Sequence, residues 1–399
     1  MGDMAEWASS TLNPPERTLM GPGPSLIPPR VYRAMTAPIL GYMDPVFHGI
    51  MDEVKTMLRM VFNTSYDMCF PISGTGSAGM EAAVCNSLEP GDHALILING
   101  FFGTRIAEMA KRVGAEVTTI EADWGTVFDP AAVKDALASH PRTKVVAIVH
   151  AETSTGVVHP MDEIGRIVKE HDALLIVDAV TSLSGVPLDL DGWGADFCYS
   201  GTQKCLNAPP GLSPISISPR GMDAISNRRT PVVNWYLDVS LIMNYWDQGR
   251  AYHHTPPISM IYALREALAL ALEEGLDARY ERHALNARAL QAGLEALGLQ
   301  LFVKDPANRL PSLTTVLVPE GVNDAQLRSA LLNDHRIEIG GGQGPYAGKL
   351  WRVGLMGYSS HPRNILALLA ALSDLLRQQG FKANGSAAVA AATEVLTGG

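Results

Sequence analysis

Between about residues 60 and 220, short apolar runs alternate with segments of helical period, and few folds accommodate that rhythm. The strand-like runs fall at 93–98, 116–120, 144–150, 174–180 and 196–200. Between them the spacing predicts helices at 76–88, 104–113, 130–138 and 161–171. Single helices between apolar strands make parallel neighbours that need cover on both faces, so the chain reads as α/β with a mostly parallel sheet between helical layers. Asp44-Pro45 and Asp129-Pro130 each open a helix, the acid as cap and the proline at the first helical position. The first 40 residues carry Pro14, Pro15, Pro22, Pro24, Pro28 and Pro29 and are expected to hold no regular helix or central strand.

After residue 220 the pattern changes. An aromatic stretch with Trp235, Tyr236, Tyr245, Trp246 and Tyr252 reads as irregular and leads into two long helices, 258–274 and 277–296. Strand-like segments at 299–303, 312–318, 337–339 and 349–355, with helices near 324–332 and at the end, make a smaller α+β domain. The expected organisation is an arm (1–40), a large domain (41–280), a small C-terminal domain (281–380) and a small-residue-rich tail (381–399) held loosely. A chain of 399 residues suits two or three domains at about 150 residues each.

Composition narrows the function. Lys plus Arg is 31 against 41 Asp plus Glu, a net charge of -10, which argues against a nucleic-acid footprint. No run approaches the roughly 18 apolar residues of a membrane span. The first ten residues lack the basic and apolar regions of a secretory signal, so a cytoplasmic enzyme is expected. Cys69, Cys85, Cys198 and Cys205 form no C-x-x-C pair and suit small buried hydrophobes in a reducing compartment.

Gly74-Thr75-Gly76-Ser77-Ala78-Gly79 matches G-x-G-x-x-G, a weak dinucleotide signal here, because the preceding run is interrupted by Pro71 and no acid follows at 96–102. The same residues open a helix, whose free N–H groups suit a phosphate; a plain glycine turn is the structural alternative. Asp178 ends an apolar run, where open α/β sheets place ligands. Lys204 follows the next run; a lone loop lysine is usually solvated. Together, a phosphate cradle, an acid at a strand end and a lysine after the next strand are the parts pyridoxal 5'-phosphate needs.

With these residues in place, the sequence resembles the class V, fold-type-I pyridoxal-phosphate aminotransferases, and within them the alanine–glyoxylate enzymes. The likeness runs from Met20-Gly21-Pro22-Gly23-Pro24-Ser25 to the last helix. It is carried by Ser200-Gly201-Thr202-Gln203-Lys204-Cys205-Leu206-Asn207, by Tyr252-His253-His254-Thr255 and by residues 299–306. The resemblance implies a seven-stranded sheet in the large domain, Lys204 as the Schiff-base lysine and Asp178 as partner of the pyridine nitrogen. It implies Thr75, Gly76 and Ser77 around the phosphate, Gln203 beside the lysine at the cofactor, Phe102 stacked on the ring, Thr153 near the phenolic oxygen and Val180 against the cofactor. Gly23, Tyr42 and Arg352 match substrate-binding positions, Arg352 gripping the carboxylate. Tyr252 and Thr255 match positions that reach the phosphate from the other subunit, which implies a homodimer acting on small amino acids and 2-oxo acids. Phe102, Ser77 and Thr153 stand where the mammalian-type enzyme has Trp, His and Ser, departures that bear on cofactor affinity more than on chemistry.

Other constellations fail. No Cys follows Cys205, so the cysteine desulfurase branch is excluded. His253 and His254 are adjacent and are expected to project apart, making no metal site. Ser359-Ser360-His361 lacks a hydrolase elbow, and Arg228-Arg229 reads as a solvated pair. A nicotinamide-dependent oxidoreductase built on Gly74–Gly79, or a non-catalytic binding protein, remains as an alternative of another class. Within the resemblance, ureidoglycine–glyoxylate, serine–glyoxylate and pyridoxamine–pyruvate aminotransferases are neighbours. The ureidoglycine enzymes bind the urea group with Gln and Asn, at positions that match Tyr42 and Tyr252. Phenols there favour alanine as donor to glyoxylate, with serine second, since a phenol lacks the paired carbonyl and NH₂ of an amide.

Overall fold

A seven-stranded sheet forms the centre of the computed structural model, which describes residues 11–247 and 249–398. The reading of residues 1–10 as free of a signal lies outside the described residues. The strands are β1 (Met68–Ser73), β2 (His93–Ile98), β3 (Glu116–Glu121), β4 (Thr143–Val149), β5 (Leu174–Asp178), β6 (Phe197–Tyr199) and β7 (Leu212–Ile217). They lie in the order β1-β7-β6-β5-β4-β2-β3. All neighbours are parallel except at β7, which is antiparallel to both β1 and β6. β5 is buried along its whole length, as a strand covered on both faces must be.

Strand β7 was not legible in the apolar pattern, because Ser213, Pro214 and Ser216 interrupt it. Pro214 stands directly opposite Pro71 of β1 at a non-bonded position of their ladder, since the Pro214 carbonyl accepts from Ser200 N on the β6 side, so the β1–β7 ladder loses no hydrogen bond to either proline. Gly74 therefore follows an edge strand of the antiparallel end, which is not the setting of a dinucleotide fingerprint.

Helices cover both faces, among them α1 (Gly76–Ser87), α2 (Phe101–Val113) and α3 (Ile258–Glu274). The long α4 (Leu276–Ala296) leads into a three-stranded antiparallel sheet of Leu313–Leu317, Leu350–Gly354 and Gly340–Gly341. A second apolar cluster fills this part, built from α4, Trp351, Val353, α5 (Pro362–Gln378) and α6 (Gly385–Thr397). The expected strand at 299–303 shrinks to a single bridge between Leu301 and Val316.

Three expectations need correction. The proline-rich arm does hold regular structure: Thr18–Leu19 pairs with Ile337–Glu338, and a helix spans Pro29–Met35 with Pro29 in its first turn. Proline is compatible with that first turn because its missing N–H has no partner there. The aromatic stretch contains a helix, Val239–Trp246, capped by the Asp238 side chain on Ser240 N. The tail is not loose. Asn384 caps α6 through Ala387 N, and Ala388 and Ala392 are buried against α4 and α5. Small residues permit that close docking: a Cβ on Gly385 would come within 2.6 Å of Ser373 Oγ.

Burying an unpaired charge is costly. Ala388→Asp should lower unfolding stability by about 2–3 kcal/mol in urea titrations; an unchanged midpoint would show that α6 does not dock.

Candidate active site

The C-terminal ends of β4, β5 and β6, with the loop after β1, enclose a cavity of about 200 Å³. Thr75, Gly76, Ser77, Phe102, Thr153, Asp178, Val180, Gln203 and Lys204 all line it. Residues scattered over 130 positions of sequence thus share one wall because parallel strands end at one edge.

Asp178 is the last residue of β5 and is buried. Its Oδ1 accepts from Val180 N at 2.8 Å and its Oδ2 from the Tyr199 hydroxyl at 2.9 Å. Burial nevertheless pushes this carboxyl up to about 7, because two neutral donors do not replace bulk water around a charge. Lys204 lies in the loop after β6, and its Nζ donates to Pro22 O. Burial, reinforced by the charge of Arg352, pulls its ammonium down to about 8. An acid and an amine that both change protonation near neutrality in one cavity mark a place where protons are moved.

Thr75, Gly76 and Ser77 line the same cavity from the start of α1. Thr75 is the N-cap of α1 but makes no capping hydrogen bond with its side chain, so the first amides and the dipole face the cavity. Gln203 Oε1 is buried without a partner. Phe102 stands in the first turn of α2, where Arg105 covers the Phe101 and Phe102 rings at 4.7 and 5.3 Å from their centroids.

The other expected residues lie outside the cavity wall. Gly23 packs on the lysine: a Cβ there would stand 2.7 Å from Lys204 Nζ, and its φ of +107° also requires glycine. Arg352, on Leu350–Gly354, is buried, with Nε donating to Gly341 O at 2.7 Å and Nη1 to Gln343 Oε1 at 3.2 Å. Tyr42 and Tyr252 pack together, with ring centroids 4.9 Å apart, and Tyr252 Oη is 3.4 Å from Thr255 Oγ1.

Sequence reading missed Arg105, Met80 and Thr181 in the cavity wall and Tyr199 on Asp178. Tyr199 pairs in register with Asp178, a relation set by strand order and invisible in the chain. The histidine expectation was wrong. His253 and His254 turn toward each other, Nδ1 to Nδ1 at 2.7 Å, and His254 Nε2 meets Ser73 Oγ at 2.7 Å. At that distance one ring nitrogen must donate and the other accept, and burial pulls His254 down to about 4, which favours its neutral form. Arg228 is not simply solvated either; it donates to the carbonyls of Asn86 and Leu88 at the end of α1. Among the described residues no cluster of three or more His, Cys, Asp or Glu could hold a metal, and no helix is long and apolar enough to cross a membrane.

The family model "Aminotransferase class-V" matches residues 19–357. The chain belongs to this family. It is 43% identical over 369 residues to an alanine–glyoxylate aminotransferase of Callithrix jacchus, covering 92% of this chain and 89% of that one. The structure of a ureidoglycine–glyoxylate aminotransferase from Bacillus subtilis superposes with a TM-score of 0.95 at 43% identity, over 97% of this chain and 100% of that one. An alanine–glyoxylate aminotransferase from Nostoc sp. gives 0.91 at 47% identity, over 92% and 97%. The aminotransferase depends on pyridoxal 5'-phosphate. The cavity fits that group: amides at a helix start and the donor NH₂ of the Gln203 side chain suit its phosphate, and a buried carboxyl and amine suit its ring nitrogen and its aldehyde.

Only the neutral amine is a nucleophile. Because Lys204 is depressed, the neutral fraction appears at lower pH than in an exposed lysine. Adding pyridoxal 5'-phosphate to cofactor-free protein should develop visible absorbance at a rate that rises with pH around a midpoint near 8. Arg352→Gln should move that midpoint upward, and a wild-type midpoint near the ordinary 10.5 would contradict the burial of Lys204.

Proposed function

We propose that the aminotransferase transfers the amino group of L-alanine to glyoxylate, giving pyruvate and glycine, with serine as a second donor, and that it works as a homodimer. When bound, pyridoxal 5'-phosphate supplies an electron sink for the substrate's Cα. Lys204, as a neutral amine, would take the proton from the substrate's Cα and, as an ammonium, would return it. A pKa near 8 suits both states, so neither direction of transfer is starved of the correct form.

Asp178 keeps the ring nitrogen protonated by accepting its proton in a hydrogen bond, and the positive charge there favours the ionised carboxylate that burial opposes. Thr75, Gly76 and Ser77 hold the phosphate with amides and hydroxyls, joined by Gln203. Phe102 and Val180, which line the cavity, would confine the ring, and the Thr153 hydroxyl would be a partner for the phenolic oxygen. Gly23 leaves room for the Lys204 side chain itself and would meet substrate beside it. Arg352, tied through Nε to Gly341 and through one Nη1 hydrogen to Gln343, would offer Nη2 and the other Nη1 hydrogen for a two-pronged grip on the substrate carboxylate, which a lysine could not copy.

Identities to the alanine and the ureidoglycine enzymes are nearly equal, so the choice of donor rests on side chains. The Tyr42–Tyr252 contact carries it. Two packed phenols leave little room and cannot supply the paired acceptor and donor that a urea group requires, whereas alanine's methyl needs neither. Ureidoglycine as donor is the second reading, supported by the full-length likeness to the Bacillus subtilis enzyme.

Tyr252 and Thr255 lie outside the cavity of their own chain, and Ile39, Val46, Val233 and Trp235 are exposed apolar residues on the same molecule. A two-fold pairing would cover such residues and bring Tyr252 and Thr255 to the partner's cavity.

In steady-state assays with glyoxylate, kcat/KM for alanine should exceed that for ureidoglycine by tenfold or more, about 1.4 kcal/mol; ureidoglycine ahead by the same factor would overturn the donor assignment. Sedimentation at assay concentration should show a dimer, and a fully active monomer would refute the shared site.

A further inference from the structure

Helix α2 starts without a cap of its own. Gly100 precedes it and offers no side chain, yet its first amides are satisfied from another part of the chain. Phe101 N donates to Ser154 Oγ at 2.9 Å, and Phe102 N donates to Glu152 Oε2 at 3.1 Å. Ser154 in turn donates to Glu152 Oε1 through its amide at 2.9 Å and its hydroxyl at 2.6 Å. Glu152 is fully buried. The approach is tight: a Cβ on Gly100 would overlap Glu152 Cγ and stand 2.5 Å from Ser154 Oγ.

A buried carboxyl is an expensive way to cap a helix. Ser or Asp at position 100 would satisfy the same amides locally, whereas burying Glu152 carries a desolvation cost. Burial accordingly raises its carboxyl, while Ser154 and the amides of Phe102 and Gly103 hold it down. The arrangement achieves something a local cap would not. The residue whose amide Glu152 holds, Phe102, and the residue that follows it, Thr153, both line the cavity. One side chain therefore locks two separate walls to each other.

We propose that Glu152 is a positioning residue: through the Phe102 amide and through Ser154 it fixes the Phe102 ring and the Thr153 hydroxyl in register around the cofactor. This rests on the reading that Phe102 and Thr153 face pyridoxal 5'-phosphate. Glu152→Gln keeps the shape but sets an NH₂ group against a ring of donors, so one amide or hydroxyl loses its acceptor.

Three readouts decide the matter: cofactor affinity, the circular dichroism that the bound cofactor acquires at saturation, and the unfolding temperature of cofactor-free protein. Glu152→Gln should bind pyridoxal 5'-phosphate about tenfold more weakly. Its induced dichroism at saturation should differ from wild type, in the same sense as that of Phe102→Ala. A purely structural cap would lower the unfolding temperature alone; wild-type affinity and dichroism in Glu152→Gln would therefore overturn the proposal. If Glu152→Gln does not fold, Ser154→Ala, which leaves the carboxyl in place, is read by the same criteria. Unchanged dichroism in Phe102→Ala, with normal cofactor binding, would instead sink the reading of Phe102 on which the proposal rests.

Discussion

Asp178 sits at the end of a buried strand with two neutral hydrogen-bond donors and no cation in contact, and the rest of the site is arranged around that cost. A carboxyl raised to about 7 is a poor anion by itself and a good one once a positive partner arrives. Lys204 shows the same logic with the sign reversed, since burial and Arg352 both disfavour its charge. In the proposed function the cofactor would relieve both: a protonated ring nitrogen would pair with Asp178, and the aldehyde would consume the Lys204 amine. The sheet makes this possible because β5 and β6 are adjacent and parallel, which places their ends side by side. A fold that separated them would leave two isolated buried charges.

The sheet was largely legible because its strands obey one physical rule. A parallel strand buried on both faces must be a short apolar run, and β2, β4 and β5 read that way. Asp178 and Lys204 stood out because a polar residue at the end of such a run has a position as well as an identity. The exceptions were elements whose stability comes from partners. Strand β7 carries a proline and two serines in its middle, and holds through its two neighbours. Helix α6 is rich in alanine and other small residues, a composition that looks loose until Gly293 of α4 and Ser373 of α5 lie against it.

Within the site, residues that touch the cavity were easier to find than those that hold them. Thr75, Gly76 and Ser77 share a helix start, a local pattern. Glu152 and Tyr199 act on residues 50 and 21 positions away, through strand register and loop packing that no local pattern encodes. His253 and His254 failed for a related reason: adjacent side chains diverge on a regular element, but these residues lie on neither helix nor strand. Tyr42 and Tyr252 lie on different segments, and only their contact in space makes them one surface.

The central claim is that Lys204, rather than another lysine, is the covalent seat of pyridoxal 5'-phosphate in this cavity. Borohydride reduction of the purified protein fixes the cofactor on whichever amine carries it, and mass spectrometry of the digested product locates the modified residue. The account predicts a pyridoxyl group on Lys204 alone; a label on any other lysine, or none on a protein that transaminates, would contradict it.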